Sequence, residues 1–193
     1  MCIRDRSLHD HGITDSLDEL VEGLDDDRCV GIMGGHAAHR GSETYRMAAE
    51  LGARLASRGH VVMTGGGPGA MEAANLGAML TGRGPVDQQR MDAAIAMLAE
   101  VPHFAPTSEG GHGITAWARA AFEVIERFGC RGESVGIPTW FYGHEPPNAF
   151  ATHVAKYFSN ALREDMLLRH CRGGIIYLPG AAGTVQELSL IHI

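Results

Sequence analysis

Val61-Val-Met-Thr64-Gly65-Gly66-Gly67-Pro68-Gly69-Ala-Met-Glu-Ala-Ala-Asn75 is the stretch that decides the fold. Val61 to Thr64 is a short apolar run that reads as a strand, and Pro68 to Leu80 reads as the helix that follows it. A strand feeding a glycine loop and then a helix is the repeating unit of a parallel α/β sheet. Three consecutive glycines lose much backbone freedom on folding, so a purely structural turn seldom uses them. Small residues let a phosphate approach the backbone, where free N–H groups and the helix dipole can hold it. The stretch also fits a loose G-x-G-x-x-A fingerprint as Gly65-x-Gly67-x-x-Ala70. No acidic strand end follows at the usual distance, because Asp87 stands at a helix start, and no Gly-Lys-Ser/Thr occurs anywhere in the chain.

A second stretch repeats the pattern. Gly174-Ile-Ile-Tyr-Leu178 reads as a buried strand, Pro179-Gly180-Ala181-Ala182-Gly183 as a tight turn, and Thr184 as the start of a helix. Glu187 lies one helical turn beyond Thr184, so its carboxylate can stand beside a ligand at that turn. The same spacing also fits a capping box, with Glu187 reaching back to the N–H of Thr184. In a doubly wound sheet both loops lie at the carboxyl ends of the strands, where ligands bind.

Together, Thr64-Gly-Gly-Gly-Pro-Gly-Ala-Met-Glu-Ala-Ala-Asn75 and Pro179-Gly-Ala-Ala-Gly-Thr-Val-Gln-Glu187 resemble the LOG family of nucleoside 5′-monophosphate phosphoribohydrolases. These cytokinin-activating proteins are often labelled lysine decarboxylases. The resemblance runs from about Cys29 to Glu187 and implies a Rossmann-like, doubly wound parallel sheet in a single α/β domain. At the second loop the family pattern is P-G-G-x-G-T-x-x-E, and Ala181 replaces its second glycine. A pyridoxal-phosphate decarboxylase needs a Schiff-base lysine. The single lysine here, Lys156, lies outside both glycine loops, which argues against that label.

The two ends of the chain share one DNA origin on this reading. Met1 to Arg6 can be encoded by ATG TGT ATA AGA GAC AG, and the reverse complement encodes Leu188 to Ile193 as CTG TCT CTT ATA CAC AT. That DNA reads as a sequencing-library adapter. Residues 1–6 and 188–193 are therefore set aside from fold reasoning. The domain is expected over 7–187, with Glu187 its last genuine residue and its final helix cut short.

Composition fits one soluble domain. A chain of 193 residues can bury one sizeable core. A net charge of −7 argues against nucleic-acid binding by phosphate attraction. Cys29, Cys130 and Cys171 are widely spaced near apolar runs and read as buried thiols in a reducing compartment. No signal peptide or membrane-length apolar run is visible, so the expectation is a cytoplasmic protein that meets no membrane. His103 and His112 are too far apart for a helical metal pair, and no metal site is read.

Along the chain, Ser7 to Arg28 reads as a polar helix and loop, and Cys29 to Met33 as the first strand. Ser42 can cap a helix to about Ser57, with Tyr45, Ala48, Ala49, Leu51, Gly52 and Leu55 inward. Residues 83–131 read as a helical insertion, with segments at about Val86 to Glu100 and Thr115 to Phe128. Glu133 to Ile137 resumes the sheet. Phe150 to Cys171 reads as one long helix. Trp140, Phe141 and Tyr142 offer either a base-stacking wall or core packing, the latter for at least two of them.

The resemblance assigns roles residue by residue. Gly65, Gly66, Gly67, Gly69, Gly180, Gly183 and Thr184 would cradle a 5′-phosphate. Glu145 and Asn148 fall where the family reaches the bound nucleotide, although Glu145 also fits a solvated loop carboxylate. Arg163 falls at the family's Arg-Lys pair, with Glu164 in place of the lysine. Its rigid fork suits a phosphate or a carboxylate, and it also fits a surface ion pair. Arg163 and Glu187 are the catalytic candidates. A carboxylate beside the sugar would activate water and stabilise an oxocarbenium-like state, releasing free base and ribose 5-phosphate without metal or organic cofactor. A homodimer is implied as well. The alternative is a non-catalytic nucleotide or molybdenum-cofactor binding or carrier protein on the same scaffold.

Overall fold

The computed structural model describes residues 2–24, 27–105, 113–141 and 145–179. Its elements are α1 (Ile3–Val21), β1 (Cys29–Met33), α2 (Glu43–Ser57), β2 (Val61–Thr64), α3 (Ala70–Thr81), α4 (Gln88–Ala99), α5 (Gly113–Phe128), β3 (Ser134–Gly136), β4 (His153–Val154), α6 (Asn160–His170) and β5 (Ile175–Tyr177). The strands form one sheet in the order β4-β3-β2-β1-β5. Every pairing is parallel, with Cys29 opposite Val61, Val62 opposite Ser134 and Ile32 opposite Ile176. The expected parallel α/β sheet is thus present.

Alternation along β1 and β2 sends side chains to two separate cores. Ile32 and Val62 join α2, α3, α4 and α5 on one face. Met33, Met63, Val135 and Ile137 join Leu17 of α1 and Met166 and Leu167 of α6 on the other. Helices on both faces make the sheet doubly wound.

Ser42 caps α2 as expected, its hydroxyl accepting from the Tyr45 N–H at 3.2 Å. Tyr45, Ala48, Ala49 and Gly52 are buried, joined by Ala53 and Ala56, whereas Leu51 and Leu55 are only half-buried. The shift towards alanine follows from close backbone packing of α2 on α3. A β-carbon on Gly52 would lie 2.1 Å from the Ala74 carbonyl oxygen, and one on Gly77 would lie 1.9 Å from that of Ala49. Larger side chains have no room along this line.

Residues 83–131, read from the sequence as an insertion, contain α4 and α5, packed on each other and on the α3 side of the sheet. Residues 106–112, including His112, lie outside the described residues.

The expected long helix from Phe150 to Cys171 is corrected. Only Asn160 to His170 is helical, capped by the Ser159 hydroxyl. His153 and Val154 form β4, and Thr139 and Tyr157 make an isolated parallel bridge. Lys156 is accordingly not on a helix. The override is tertiary. The Thr152 N–H and hydroxyl both bond to the Ser134 carbonyl oxygen, which draws the segment out as a strand beside β3. The expected buried strand at 174–178 is also modified, since β5 is an edge strand whose three residues are half-buried.

The N-terminal helix is pinned to this region. Asp10 is buried, and its two carboxylate oxygens accept from the Phe158 and Ser159 N–H groups, each at 2.8 Å.

Candidate functional site

The strand order turns about β1. β2 lies on one side of it and β5 on the other, so the crevice of a doubly wound sheet opens at the carboxyl ends of β1 and β5. The β1 end continues into Gly34-Gly35-His36, and the β2 end into the glycine loop 65–69. These two loops touch. The Ala70 N–H, first of α3, donates to the Gly35 carbonyl at 2.9 Å. A β-carbon on Gly69, whose φ is +74°, would stand 2.4 Å from that same oxygen. Gly35 in turn lies against Pro179 at the end of β5, its would-be β-carbon 3.7 Å from the Pro179 carbonyl oxygen.

A buried polar network fixes the glycine loop from within. The Thr64 hydroxyl donates to Asn75 Oδ1 at 2.7 Å and accepts from the Gly66 N–H at 3.0 Å. Asn75 Nδ2 donates to the Ser134 hydroxyl at 3.0 Å. Asn148 Nδ2 donates to Asn75 Oδ1 and to the Gly67 carbonyl, both at 3.1 Å. The Asn148 N–H holds the Gly66 carbonyl at 2.8 Å, and its Oδ1 accepts from the N–H groups of Phe150 and Ala151. Asn148 therefore spends both ends of its carboxamide on the loop and its own turn. Its place in the site is to hold the glycine backbone.

Arg163 and Glu145 reach the same loop from opposite elements. Arg163 projects from α6, is 6% exposed, and places Nη1 3.3 Å from the position of a β-carbon on Gly65. Asn160 Oδ1 accepts from its Nε at 3.2 Å and from Nη2 at 2.8 Å, which fixes the plane of the guanidinium. Glu164 Oε1 lies 3.4 Å from Arg163 Nη2 and accepts from Asn160 Nδ2 at 2.8 Å. Glu145 is half-buried, with Oε2 3.8 Å from a would-be β-carbon on Gly67. Met71 lies over both glycines, its sulfur and methyl each 2.9 Å from the β-carbon positions of Gly65 and Gly67. The structure thus brings Gly65, Gly66, Gly67, Gly69, Glu145, Asn148 and Arg163 together. Gly180, Gly183, Thr184 and Glu187 lie outside the described residues, as does Tyr142.

Trp140 and Phe141 are not core. Trp140 is 50% and Phe141 70% exposed, against the expectation that at least two of the three would be packed inside. The chain leaves the sheet at the Thr139 bridge, so these rings fall on the surface. Trp140 stacks on Phe158 with centroids 5.7 Å apart, and Lys156 Nζ lies 3.5 Å from the Trp140 ring centroid. Burial pushes the Lys156 ammonium below its ordinary range.

Two features at the site carry no sequence signal of their own. One is the Asn75 hub. The other is a buried ion pair between Arg40, in the loop after β1, and Glu72, in the first turn of α3, both 1% exposed. Arg40 sits in no motif, and Glu72, the one acidic residue in the first turn of α3, has no role of its own in the quoted glycine-loop stretch.

The SLOG cluster4 family model matches residues 27–84, which carry β1, α2, β2, α3 and the glycine loop between them. No curated protein matches the chain. Among solved structures, it is similar to the molybdenum cofactor binding protein from the phototrophic bacterium Rippkaea orientalis. The identity is 18% and the TM-score 0.47, over 85% of this chain and 69% of that one. Among the described residues no helix is long and apolar enough to cross a membrane.

Proposed function

We propose that this chain is a nucleoside 5′-monophosphate phosphoribohydrolase. One observation carries the reading. A buried, oriented guanidinium and a half-buried carboxylate meet on the Gly65–Gly67 backbone at the carboxyl edge of a parallel sheet. Arg163 would take the 5′-phosphate together with the glycine loop, because its planar fork pairs with phosphate oxygens. Glu145 would bind the ribose hydroxyls or the base. Glu187 would activate water for attack at C1′, and the base would leave with the bonding electrons and a proton. The products are the free base and ribose 5-phosphate. The resemblance to the LOG family also implies a homodimer, which light scattering reads directly.

The test is incubation of the protein with AMP, GMP, CMP and UMP, with chromatography of free base and ribose 5-phosphate. Release of one base, abolished in Arg163→Ala and Glu187→Ala, is expected. Nucleotides that bind and stay intact overturn the reading. They would leave the second one, a non-catalytic nucleotide or molybdenum-cofactor carrier. One observation favours that alternative. Glu164 stands beside Arg163 where the family has a lysine, and its carboxylate offsets part of the positive charge offered to a phosphate.

A further inference from the structure

We infer that Arg40 is a positioning residue that locks the helical insertion to the two ligand loops, so that α5 sets the geometry of the nucleotide site. The inference extends the proposed function, on whose ligand one of its tests relies.

Arg40 has three separate holds. Its Nε and Nη2 grip Glu72 in a bidentate pair at 3.1 and 2.5 Å. Its Nη1 donates to the Trp117 carbonyl of α5 at 2.9 Å, and its guanidinium lies 4.3 Å from the Trp117 ring centroid. Its backbone N–H donates to the Pro102 carbonyl, in the linker after α4, at 3.2 Å. Next to it, a β-carbon on Gly41 would stand 2.7 Å from the Ala99 side chain. Arg40 thus touches α5, the linker after α4 and the first turn of α3, and its neighbour Gly41 lies against Ala99 of α4.

Glu72 transmits this to the site. It lies three residues after Gly69, in the helix turn whose first N–H closes on Gly35. Moving Glu72 moves the Gly69–Ala70 backbone, and with it the contact between the glycine loop and the β1 loop. A row of rings covers the junction from outside. His39 lies on His103 at 5.3 Å between centroids, His103 stacks on Phe104 at 4.7 Å, and Phe104 meets Trp117 edge-on at 6.1 Å. Burial pushes the Glu72 carboxyl up, with Arg40 opposing it, so the pair stands in a dry environment where fork geometry is held tightly.

Removing Arg40 alone strands a buried carboxylate, and that variant can fail to fold for this reason only. The informative variant is Arg40→Met with Glu72→Met. Apolar replacement of both partners of a buried pair is often neutral for stability, yet here it severs the link to Trp117. Hydrogen-exchange mass spectrometry without ligand should show faster exchange at 34–41, 65–72 and 113–120 together, with β3 unchanged. Calorimetry should show AMP bound roughly tenfold more weakly or worse, since misplacing positioning groups by about 1 Å can cost on the order of 10²-fold. Arg40→Lys, which keeps the charge without the fork, should fall between. A folded double variant with wild-type affinity, or with faster exchange confined to 113–120, overturns the inference. Should the double variant not fold, Glu72→Gln gives the same readouts with the same two outcomes. If the wild type does not bind AMP, the proposed function fails, and the exchange pattern still decides the role of Arg40.

Discussion

Arg163 Nη1 lies 3.3 Å from where a β-carbon on Gly65 would stand, so the absence of a side chain at Gly65 is what lets the guanidinium meet the loop backbone. Gly65 and Gly66 consequently answer to different demands. Gly65 has no positive φ, and its nearest neighbours are the flexible Met71 thioether and the Arg163 tip. Gly66 has φ +69° and would press a β-carbon 2.7 Å from Pro138 Cδ and 3.1 Å from the Ile137 nitrogen. Gly65→Ala should melt near the wild type while losing phosphate affinity. Gly66→Ala should lose roughly 1–3 kcal/mol of stability, because a left-handed backbone is imposed on alanine. Thermal melts paired with AMP calorimetry separate the two, and equal melting temperatures would refute the distinction.

Arg163→Ala should weaken phosphate binding by roughly 10–100-fold, as expected for losing about 1.5–3 kcal/mol of hydrogen bonding to a charged group. Glu164→Lys should act in the opposite direction by removing the competing carboxylate. Titration with inorganic phosphate measures both. Unchanged affinity in Arg163→Ala would remove this residue from the site.

Asn75→Ala should be among the more damaging single changes near the loop. Asn75 Oδ1 accepts from both Thr64 and Asn148, and its Nδ2 donates to Ser134, all in buried surroundings. Truncation removes one partner from each of Thr64, Ser134 and Asn148, at a cost of roughly 1–3 kcal/mol. Chemical denaturation reads the loss. A midpoint equal to the wild type would mean that the network carries no net stability.

The four cysteines should divide in two. Cys29 and Cys171 are buried as expected, but Cys130, read from the sequence as a buried thiol, is exposed after the end of α5, as is Cys2. Burial pushes the Cys171 thiol up to about 12, with Cys29 adding to it. A thiol-specific dye at pH 8 should label two groups quickly and two only on unfolding. In the unfolded chain the Cys171 thiol ionises near its ordinary 9.0. Between that pH and about 12 the unfolded state sheds a proton that the folded state keeps. Stability should therefore fall as pH rises through this window, and Cys171→Ala should flatten that slope.

Asp10→Ala should release α1 from the sheet, since one carboxylate satisfies two backbone N–H groups of the 157–159 turn. Limited proteolysis should then cut within 3–28 faster than in the wild type, with the sheet intact. Cleavage at the wild-type rate would show that the remaining contacts of α1, the packing of Leu17 and the Thr14–Tyr157 hydrogen bond among them, hold the helix without Asp10.

Local sequence was enough for the strand–loop–helix units, because each is written in contiguous residues. Apolar runs end at glycines, Ser42 stands where a cap is needed, and Gly65 to Gly69 have no other economical use. Arg163 and Glu145 were singled out by the resemblance to the LOG family rather than by local sequence, and the fold brings both to the glycine loop. The helix expected over 150–171 failed over nearly its first half, before Asn160, because β4 exists only through its pairing with β3, about 18 positions away in sequence. Backbone bonds from Thr152, Ala155 and Tyr157 to the carbonyls of Ser134, Gly136 and Pro138 outweigh the helical preference of a segment this short.

What the sequence by itself determined is the alternation of strands and helices and the glycine loop at the end of β2. Short-range periodicity and backbone permissiveness set both. Only the tertiary structure decided that Asn148 and Asn75 clamp that loop, that Trp140 and Phe141 face outward, and that Arg40 joins the insertion to α3. These depend on which residues meet across 32, 73 or 77 positions of chain. Burial makes such meetings decisive, since a polar group taken out of water must find its partner wherever the fold places one.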